Sequence, residues 1–138
     1  MKLTADTNLL VRHAVRDDER QAEAADVILR RAELVAIPTP ALCEFVWVLR
    51  RSYGFPAGAV VSALRRLLSI AVVRVDRVAT DAGIAALEAG GDFADACIAA
   101  EGRRMGGIVF TSFDRRAVAA VKAAGGEAQL LTSSSPSH

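Results

Sequence analysis

Cysteine is scarce in this chain, and the few cysteines present form no paired framework. Cys43 and Cys97 are the only two, and no Cys-x-x-Cys spacing occurs. Such usage is typical of free thiols in a reducing compartment. No charged start leads into an apolar signal segment, and no apolar run approaches the roughly eighteen residues that a membrane span requires. The sequence therefore predicts a cytoplasmic protein without a membrane segment.

Histidine is also scarce, and the common catalytic loops are missing. His13 has no partner at metal-ligand or triad spacing, which disfavours a zinc site. The chain has no phosphate-binding loop ending in Gly-Lys, no Gly-x-Gly-x-x-Gly after a strand and no Gly-x-Ser-x-Gly turn. These absences argue against a P-loop nucleoside triphosphatase, a dinucleotide-binding enzyme and a serine hydrolase.

What the chain does have is an ordinary globular balance, with 138 residues of which 52% are hydrophobic and 24% charged. This length fits one domain, and we expect it over residues 1–131, followed by a frayed Ser-rich tail over 132–138. The net charge is only +1, so nucleic-acid binding would depend on local patches. The basic residues are nearly all Arg, which fits either phosphate contact or a solvated helix surface.

The most informative stretch runs from residue 90 to residue 114. Asp92 stands where a helix N-cap is expected, and Asp95 follows in the first turn, where a carboxylate suits the helix dipole. The pair Gly106-Gly107 predicts the end of that helix. The apolar run 108–110 predicts a buried strand, and Asp114 follows it closely.

The rest of the chain alternates short apolar runs with helix-period segments. We expect strands near residues 2–5, 34–37, 70–75, 108–110 and 128–131, and further helices from residue 9 and over about 18–31, 39–53, 57–68, 79–88 and 117–124. Thr39 followed by Pro40 predicts a helix N-cap, and Tyr53 continues the apolar stripe of the helix that follows. This alternation predicts an α/β fold, with a parallel sheet of about five strands covered by helices on both faces.

Four acids are expected at one edge of that sheet. Asp6 and Asp114 each follow a strand, while Glu44 and Asp95 stand early in helices. Ligand sites of parallel sheets lie outside the carboxyl ends of the strands, so all four carboxylates could reach one crevice. Each also has a structural interpretation: Asp6 and Asp114 could cap helices, Asp95 could pair with Asp92 in capping, and Glu44 could be a solvated helix residue. In the functional interpretation Thr7 and Asn8 cap the first helix, and Asp6 points into the crevice.

Carboxylates gathered in this way would repel one another unless a cation is present. Oxygen ligands without nearby His or Cys favour Mg²⁺, with Mn²⁺ as the other candidate. Magnesium is commonly completed by water and substrate phosphate, so the pattern points to phosphodiester chemistry. Asp92 could help to hold metal or water, and the hydroxyl of Ser112 could bind a carboxylate or a phosphate.

Taken together, these segments resemble the motifs of PIN-domain nucleases, and within them the toxin component of VapBC-type toxin–antitoxin pairs. Four segments carry the resemblance: Asp6-Thr7-Asn8, Glu44 to Leu49 with Tyr53, Asp92 to Ala96, and Thr111 to Asp114. The resemblance implies a three-layer fold and a Mg²⁺- or Mn²⁺-dependent endoribonuclease that cuts structured RNA, such as tRNA or a ribosomal loop. It also implies a homodimer that a cognate antitoxin inhibits.

The resemblance also assigns roles to individual residues. It implies that Asp6 and Asp95 are the principal metal ligands and that Glu44 and Asp114 hold metal through water or orient the attacking water. Asn8 is a candidate supporting residue. Ser112 stands where many relatives have Thr, which preserves the hydroxyl. Arg115-Arg116 stands where some relatives carry a further acid, which puts a second tightly held metal ion in doubt.

We expect metal-activated water to attack the phosphorus and to leave a 5′-phosphate and a 3′-hydroxyl. The basic residues that follow the first two acidic motifs are the expected RNA contacts, namely Arg12, Arg16, Arg50 and Arg51. Three alternatives stay open. They are a small-molecule phosphohydrolase, a receiver-type signalling module, and a catalytically silent binding protein on the same scaffold. Asn8 stands where the first would want a second acid, and Lys122 lies in a helix rather than after a strand, which argues against the second.

Overall fold

The structure is a computed structural model, and it describes residues 1–133. This part of the chain alternates strands with helices. The strands are β1 (Lys2–Thr4), β2 (Leu34–Ala36), β3 (Val73–Arg74), β4 (Val109–Ser112) and β5 (Glu127–Leu130). The helices are α1 (Thr7–Val15), α2 (Glu19–Arg31), α3 (Thr39–Arg51), α4 (Ala57–Leu68), α5 (Arg77–Glu88), α6 (Phe93–Arg104) and α7 (Arg115–Ala123). Most of the tail that we expected to be frayed, residues 134–138, lies outside the described residues.

The chain divides into two compact units, Met1–Arg77 and Val78–His138. The first unit contains β1 to β3 with α1 to α4, and the second contains β4 and β5 with α5 to α7. The expectation of a single domain over 1–131 stays a prediction.

In the first unit, three parallel strands are hydrogen-bonded in the order β1-β2-β3. Leu3 pairs with Val35, and Val35 pairs in turn with Val73. Two helices lie between each strand and the next along the chain, as crossover connections of parallel strands require. The carboxyl end of β1 therefore leads into α1, and Asp6 stands at that junction.

The buried side chains of this unit are mainly aliphatic. They come from one face of each helix and from β2, and those at most 2% exposed include Leu10, Val35, Ile37, Leu42, Phe45, Leu49, Val60, Leu64 and Leu67. In α3 and α4 they recur at three- and four-residue intervals, which is the period of an amphipathic helix. This packing fixes which face of α3 is left for solvent.

The second unit has a parallel pair of strands, β4 and β5, joined by α7. The helix before them, α6, has clear signals at both ends. Asp92 caps its N-terminus, and Gly106 adopts a positive φ of 102° just after its end. The N–H of Gly107 then donates to the carbonyl of Gly102 at 2.8 Å. The Gly-Gly pair is therefore the helix stop that the sequence predicted, because glycine tolerates the left-handed conformation.

The predicted fold class, α/β with parallel strands and intervening helices, is confirmed. The five expected strands are also found. Their hydrogen bonds within residues 1–133 join them as a group of three and a group of two.

The strand predicted over 70–75 is shorter than expected. Only Val73–Arg74 is a strand, although the Val72 carbonyl also accepts from the Val35 N–H at 2.9 Å. The first residues of the apolar run form the turn that follows α4. The Ile70 N–H donates to the Leu67 carbonyl, and the Val73 N–H donates to the Ile70 carbonyl. Apolar composition therefore overestimated the strand, because a turn uses the same residues.

The strand predicted as buried over 108–110 is only half-buried. It runs over Val109–Ser112, and Ile108 and Val109 are 58% and 44% exposed. Exposure alternates along β4, because successive side chains of a strand point to opposite faces. One face of the strand is therefore solvated.

Two details of α3 also differ from expectation. Thr39 is the first helical residue rather than the cap, and Pro38 in the cap position makes no side-chain capping bond. Tyr53 was expected on the buried stripe, but it is 36% exposed, and its hydroxyl donates to Asp17 at 2.9 Å. Its place on the apolar stripe was wrong because α3 ends at Arg51.

Candidate metal and RNA site

Asp6 is positioned by the junction of β1 and α1. Its backbone is extended, and its Oδ1 accepts a hydrogen bond from the Leu9 N–H at 3.1 Å. Asp6 is therefore the N-cap of α1, and the expectation that Thr7 and Asn8 would cap this helix was wrong. Thr7 is already helical, so its N–H is among those that need a cap. Capping uses one carboxylate oxygen of Asp6.

Glu44 lies in the second turn of α3, on its solvent-facing side. Its neighbours Phe45 and Val46 are buried, which fixes the orientation of the helix around it. Glu44 is exposed, as expected for a carboxylate outside the apolar stripe.

Asp92 and Asp95 share the first turn of α6. The Oδ2 of Asp92 accepts from the Asp95 N–H at 2.9 Å, so Asp92 is the N-cap that the sequence predicted. Asp95 is half-buried, whereas Asp92 is exposed. The two carboxyl groups therefore both lie at the N-terminus of α6.

Asp114 caps α7 with one oxygen. Its Oδ1 accepts from the N–H groups of Arg116, at 2.9 Å, and Ala117, at 3.1 Å. Ser112 supports this turn, because its hydroxyl oxygen accepts from the Asp114 N–H at 2.9 Å. The capping interpretation of Asp114 is thus confirmed. Ser112 holds the backbone of Asp114, and its hydroxyl proton remains able to donate elsewhere.

The three acids of the second unit interact electrostatically. The pKa of the Asp95 carboxyl is raised above its ordinary value, first because the group is partly buried, and then because Asp92 and Asp114 carry like charge nearby. A raised pKa means that the ionised form of Asp95 is disfavoured in the folded chain. We call Asp92, Asp95 and Asp114 the acidic group.

The side chains of the described residues do not by themselves form a complete metal cage. Within residues 1–133, no set of three or more His, Cys, Asp or Glu side chains could hold a metal ion. This observation excludes a closed zinc-type site there.

Asn8 faces a different feature of the first unit. Together with Leu9 and Arg12 from α1, it lines a cavity of about 440 Å³ against Gln21, Ala24, Ala25 and Ile28 of α2. A supporting role for Asn8 beside Asp6 stays a prediction.

Two of the four expected RNA-binding arginines are already paired within the chain. Arg12 Nη1 donates to Asp17 Oδ1 at 2.8 Å, and Arg16 Nη1 donates to Asp26 Oδ2 at the same distance. Arg16 also has a positive φ of 62° at the end of α1, a conformation that L residues adopt at a cost. Both guanidinium groups are therefore committed to holding α1 against α2 and the loop between them.

The other two arginines lie at the end of α3 and are exposed. Arg50 donates to the Phe55 carbonyl at a long 3.4 Å. The guanidinium of Arg51 lies over the ring of Trp47, 5.9 Å from its centroid. Neither is paired with a carboxylate in a described ion pair.

Sequence reasoning missed the carboxylates that pair with Arg12 and Arg16. The pKa of Asp17 is lowered, first by the Tyr53 hydroxyl and then by Arg12, and the pKa of Asp26 is lowered by His13 and Arg16. His13 thus has a partner after all, since its Nδ1 lies 2.9 Å from Asp26 Oδ1. The Asp26 pairs join residues ten and thirteen positions apart, so no local spacing could reveal them.

Helix length bears on the expectation that there is no membrane segment. None of the helices within residues 1–133 is long and apolar enough to cross a bilayer.

The family model of the PIN domain matches residues 4–123, which include all four predicted acids. No curated protein sequence matches significantly. Among solved structures, the chain is similar to Mycobacterium tuberculosis VapC20, described as a Sarcin-Ricin loop cleaving toxin. The identity is 25%, the alignment covers 91% of this chain and 96% of that one, and the TM-score is 0.44.

Proposed function

This chain belongs to the PIN domain family, and from that premise we propose that it is a divalent-metal-dependent endoribonuclease. The observation that carries the proposal is the family match over residues 4–123, within which every predicted acid stands at a helix start or on an exposed helix face. Carboxylates at the carboxyl ends of parallel strands are placed where such folds bind their ligands.

The raised pKa of Asp95 in the acidic group supports the proposal that a cation binds there. Burial and like charge disfavour ionised Asp95, and a bound cation would reverse that penalty. The donors are all oxygen, which suits Mg²⁺ or Mn²⁺. We propose Asp95 and Asp6 as the carboxylates that hold the ion. When bound, such an ion neutralises charge on a phosphate and lowers the pKa of water.

The remaining acids act on water and on backbone geometry in this proposal. Asp114 has one oxygen occupied by the start of α7, so its other oxygen can orient water near the phosphate. Asp92 fixes the first turn of α6 and thereby the direction of Asp95. Glu44 is exposed and can accept a proton from water or from the RNA. Hydrolysis by water would leave a 5′-phosphate and a 3′-hydroxyl.

The biological setting rests on the resemblance of the four motifs to VapBC-type toxins. On that basis we propose that the chain is the toxin of a type II toxin–antitoxin system and acts in the cytoplasm on structured RNA, such as tRNA or rRNA. We propose further that it forms a homodimer and that a cognate antitoxin inhibits it.

The chain offers a matched control for testing the reaction. Asp6 and Asp18 are both N-caps, and each accepts from a backbone N–H three residues on, at 3.1 Å. Asn caps helices about as well as Asp, so Asp6→Asn and Asp18→Asn should perturb folding equally little. Only Asp6→Asn removes a proposed metal ligand.

The experiment incubates wild type and both variants with total cellular RNA, with Mg²⁺, with Mn²⁺ or with EDTA, and maps the cut ends. We expect wild type and Asp18→Asn to cleave with metal and not with EDTA, and Asp6→Asn to be inactive. Products with 2′,3′-cyclic phosphate would refute the water mechanism. Equal activity of Asp6→Asn and wild type would refute the assigned site.

A further inference from the structure

The solvent-facing side of α3 carries an exposed indole. Trp47 is the only tryptophan of the chain, and it is 57% exposed. On the opposite side of the same helix, Phe45, Val46 and Leu49 are buried. Trp47 is therefore held on a rigid, well-packed helix while more than half of its surface remains in water.

Glu44, Trp47 and Arg51 lie on one face of this helix. They are three and four residues apart, the spacing that places side chains above one another on a helix. Trp47 lies about 4.5 Å along the axis from Glu44, from a rise of 1.5 Å per residue. The exposed ring is thus next to a proposed catalytic acid.

Arg51 gives this face a positive charge and restrains the ring. Its guanidinium lies over the indole at 5.9 Å from the centroid, within the range of a cation–π interaction. Arg50, the preceding residue, is also exposed and has no carboxylate partner among the described ion pairs. An aromatic surface bordered by two cations complements a ligand that is both planar and anionic.

We propose that Trp47 is a stacking platform for an unpaired nucleobase of the RNA substrate, with Arg51 contacting the adjacent phosphate. This inference rests on the proposed function, which supplies RNA as the ligand. Base stacking on aromatic side chains and phosphate contact by Arg are the two elements of single-strand recognition. A protein partner is less favoured, because it would have to match the cations of Arg50 and Arg51 as well as the indole.

The proposal has a consequence for substrate choice. Every base has a π face, so stacking on Trp47 would tolerate different bases at this position. It would not tolerate a base that is paired and stacked within a duplex. The enzyme should therefore require an unpaired nucleotide beside the cut, and Trp47 would be a specificity-determining residue for RNA structure rather than for sequence.

Because Trp47 is the only tryptophan, its fluorescence reports on this position alone. In EDTA, where the proposed enzyme would not cleave, we would titrate the protein with a single-stranded RNA oligonucleotide. A duplex of the same sequence and an abasic oligomer of the same length are the comparison ligands. We expect the single strand to quench emission strongly, and the duplex and the abasic oligomer to quench it little. Equal quenching by the abasic oligomer would show that charge alone acts and would overturn the proposal.

Variants then separate stacking from packing. Anisotropy of a labelled oligonucleotide should show Kd raised about five-fold or more in Trp47→Ala and changed little in Trp47→Phe, which keeps an aromatic face. Met105→Ala, which removes an apolar side chain 87% exposed in the second unit, should bind like wild type. Arg51→Gln should reduce the slope of log K against log salt by about one.

Failure of this inference and failure of the proposed function give different results. If wild type cleaves RNA with Mg²⁺ but Trp47→Ala binds RNA with unchanged Kd, the inference fails and the proposed function stands. If wild type neither binds nor cleaves RNA, the proposed function fails as well. If Trp47→Ala changes only self-association in sedimentation, Trp47 is a contact between copies, and the inference is refuted.

Discussion

Two clusters of carboxylates in this chain have opposite electrostatic surroundings. Between α1 and α2, Asp17 and Asp26 accept hydrogen bonds from Arg12, Arg16 and Tyr53, and their pKa values are lowered. In the acidic group, the neighbours that affect Asp95 are other carboxylates, and its pKa is raised. The first cluster has its own cations and serves structure. In the second cluster, no cation of the described residues contributes to the shift of the Asp95 pKa, and we propose that an external cation completes it.

The same comparison separates the arginines. Arg12 and Arg16 pair with Asp17 and Asp26, whereas the two arginines at the end of α3 are exposed and have no carboxylate partner in a described ion pair. Proximity to an acidic motif in the sequence therefore does not suffice to predict an RNA contact. A guanidinium that is already paired would have to give up that pair to bind a phosphate.

The largest effect is expected from Asp95→Asn, which removes the central carboxylate of the acidic group. We expect RNA cleavage to fall at least about 100-fold. Mg²⁺ should raise the Tm of wild type but not that of the variant, because an ion that binds only the folded site stabilises it. Glu127→Gln, an exposed acid of β5, is the control that should retain cleavage and the Mg²⁺ response.

The pH dependence of stability provides a second measurement on the same variant. A carboxyl whose pKa is raised on folding binds protons more tightly in the folded state, so its contribution to stability is lost as pH rises from the ordinary value of 3.8. In EDTA, the stability of Asp95→Asn relative to wild type should therefore increase with pH above that value. If the stability difference between Asp95→Asn and wild type stays constant with pH, the ionised form of Asp95 is not destabilised by burial and by its neighbours.

A smaller effect is expected from substitution of a glycine that packs against Phe93, at the start of α6. A Cβ added at Gly83 of α5 would lie 2.5 Å from the ring of Phe93, the residue after Asp92. We expect Gly83→Ala to lower the free energy of unfolding by about 1–3 kcal/mol, measured by urea denaturation. Gly58→Ala in the first unit is the matched control, since its Cβ would meet nothing within 4 Å and alanine is the better helix former. Equal stability of the two variants would contradict the packing of Phe93 on Gly83.

The smallest effect is expected from Asp26→Asn in the paired cluster. It removes the charge that holds His13 and Arg16, and we expect it to cost about 1 kcal/mol at neutral pH. Because the pKa of Asp26 is lowered on folding, its stabilisation is lost as pH falls through that value, so wild type and variant should converge in acid. Cleavage and the Mg²⁺ response should stay those of wild type. A loss of cleavage without a loss of stability would place Asp26 in the reaction instead.

Much of the fold could be read from local patterns. The α/β class, the PIN family and the bounds of α4 follow from periodicity, motifs and helix signals. The cap of α6 by Asp92 and its stop at Gly106 were also predicted, because capping depends on residues within one turn.

The predictions were wrong where a residue could take part in either of two structural features. The functional interpretation gave the cap of α1 to Thr7 and Asn8, yet Asp6 caps this helix, and Ile70 was assigned to a strand, yet it closes a turn after α4. For Asp114 both interpretations had been kept, and the capping bonds are present. A capping carboxylate has a second oxygen, so capping and ligand binding do not exclude each other.

The sequence by itself determined which segments become helices and strands, where α4 begins and ends, and which four acids follow strands or stand early in helices, because these features depend on neighbours a few positions away. Only the tertiary structure decided that Arg16 pairs with Asp26 and that Asp95 is partly buried among like charges. Burial and charge pairing join residues distant in the chain, and their energies depend on distances and on solvent exposure that no local pattern specifies.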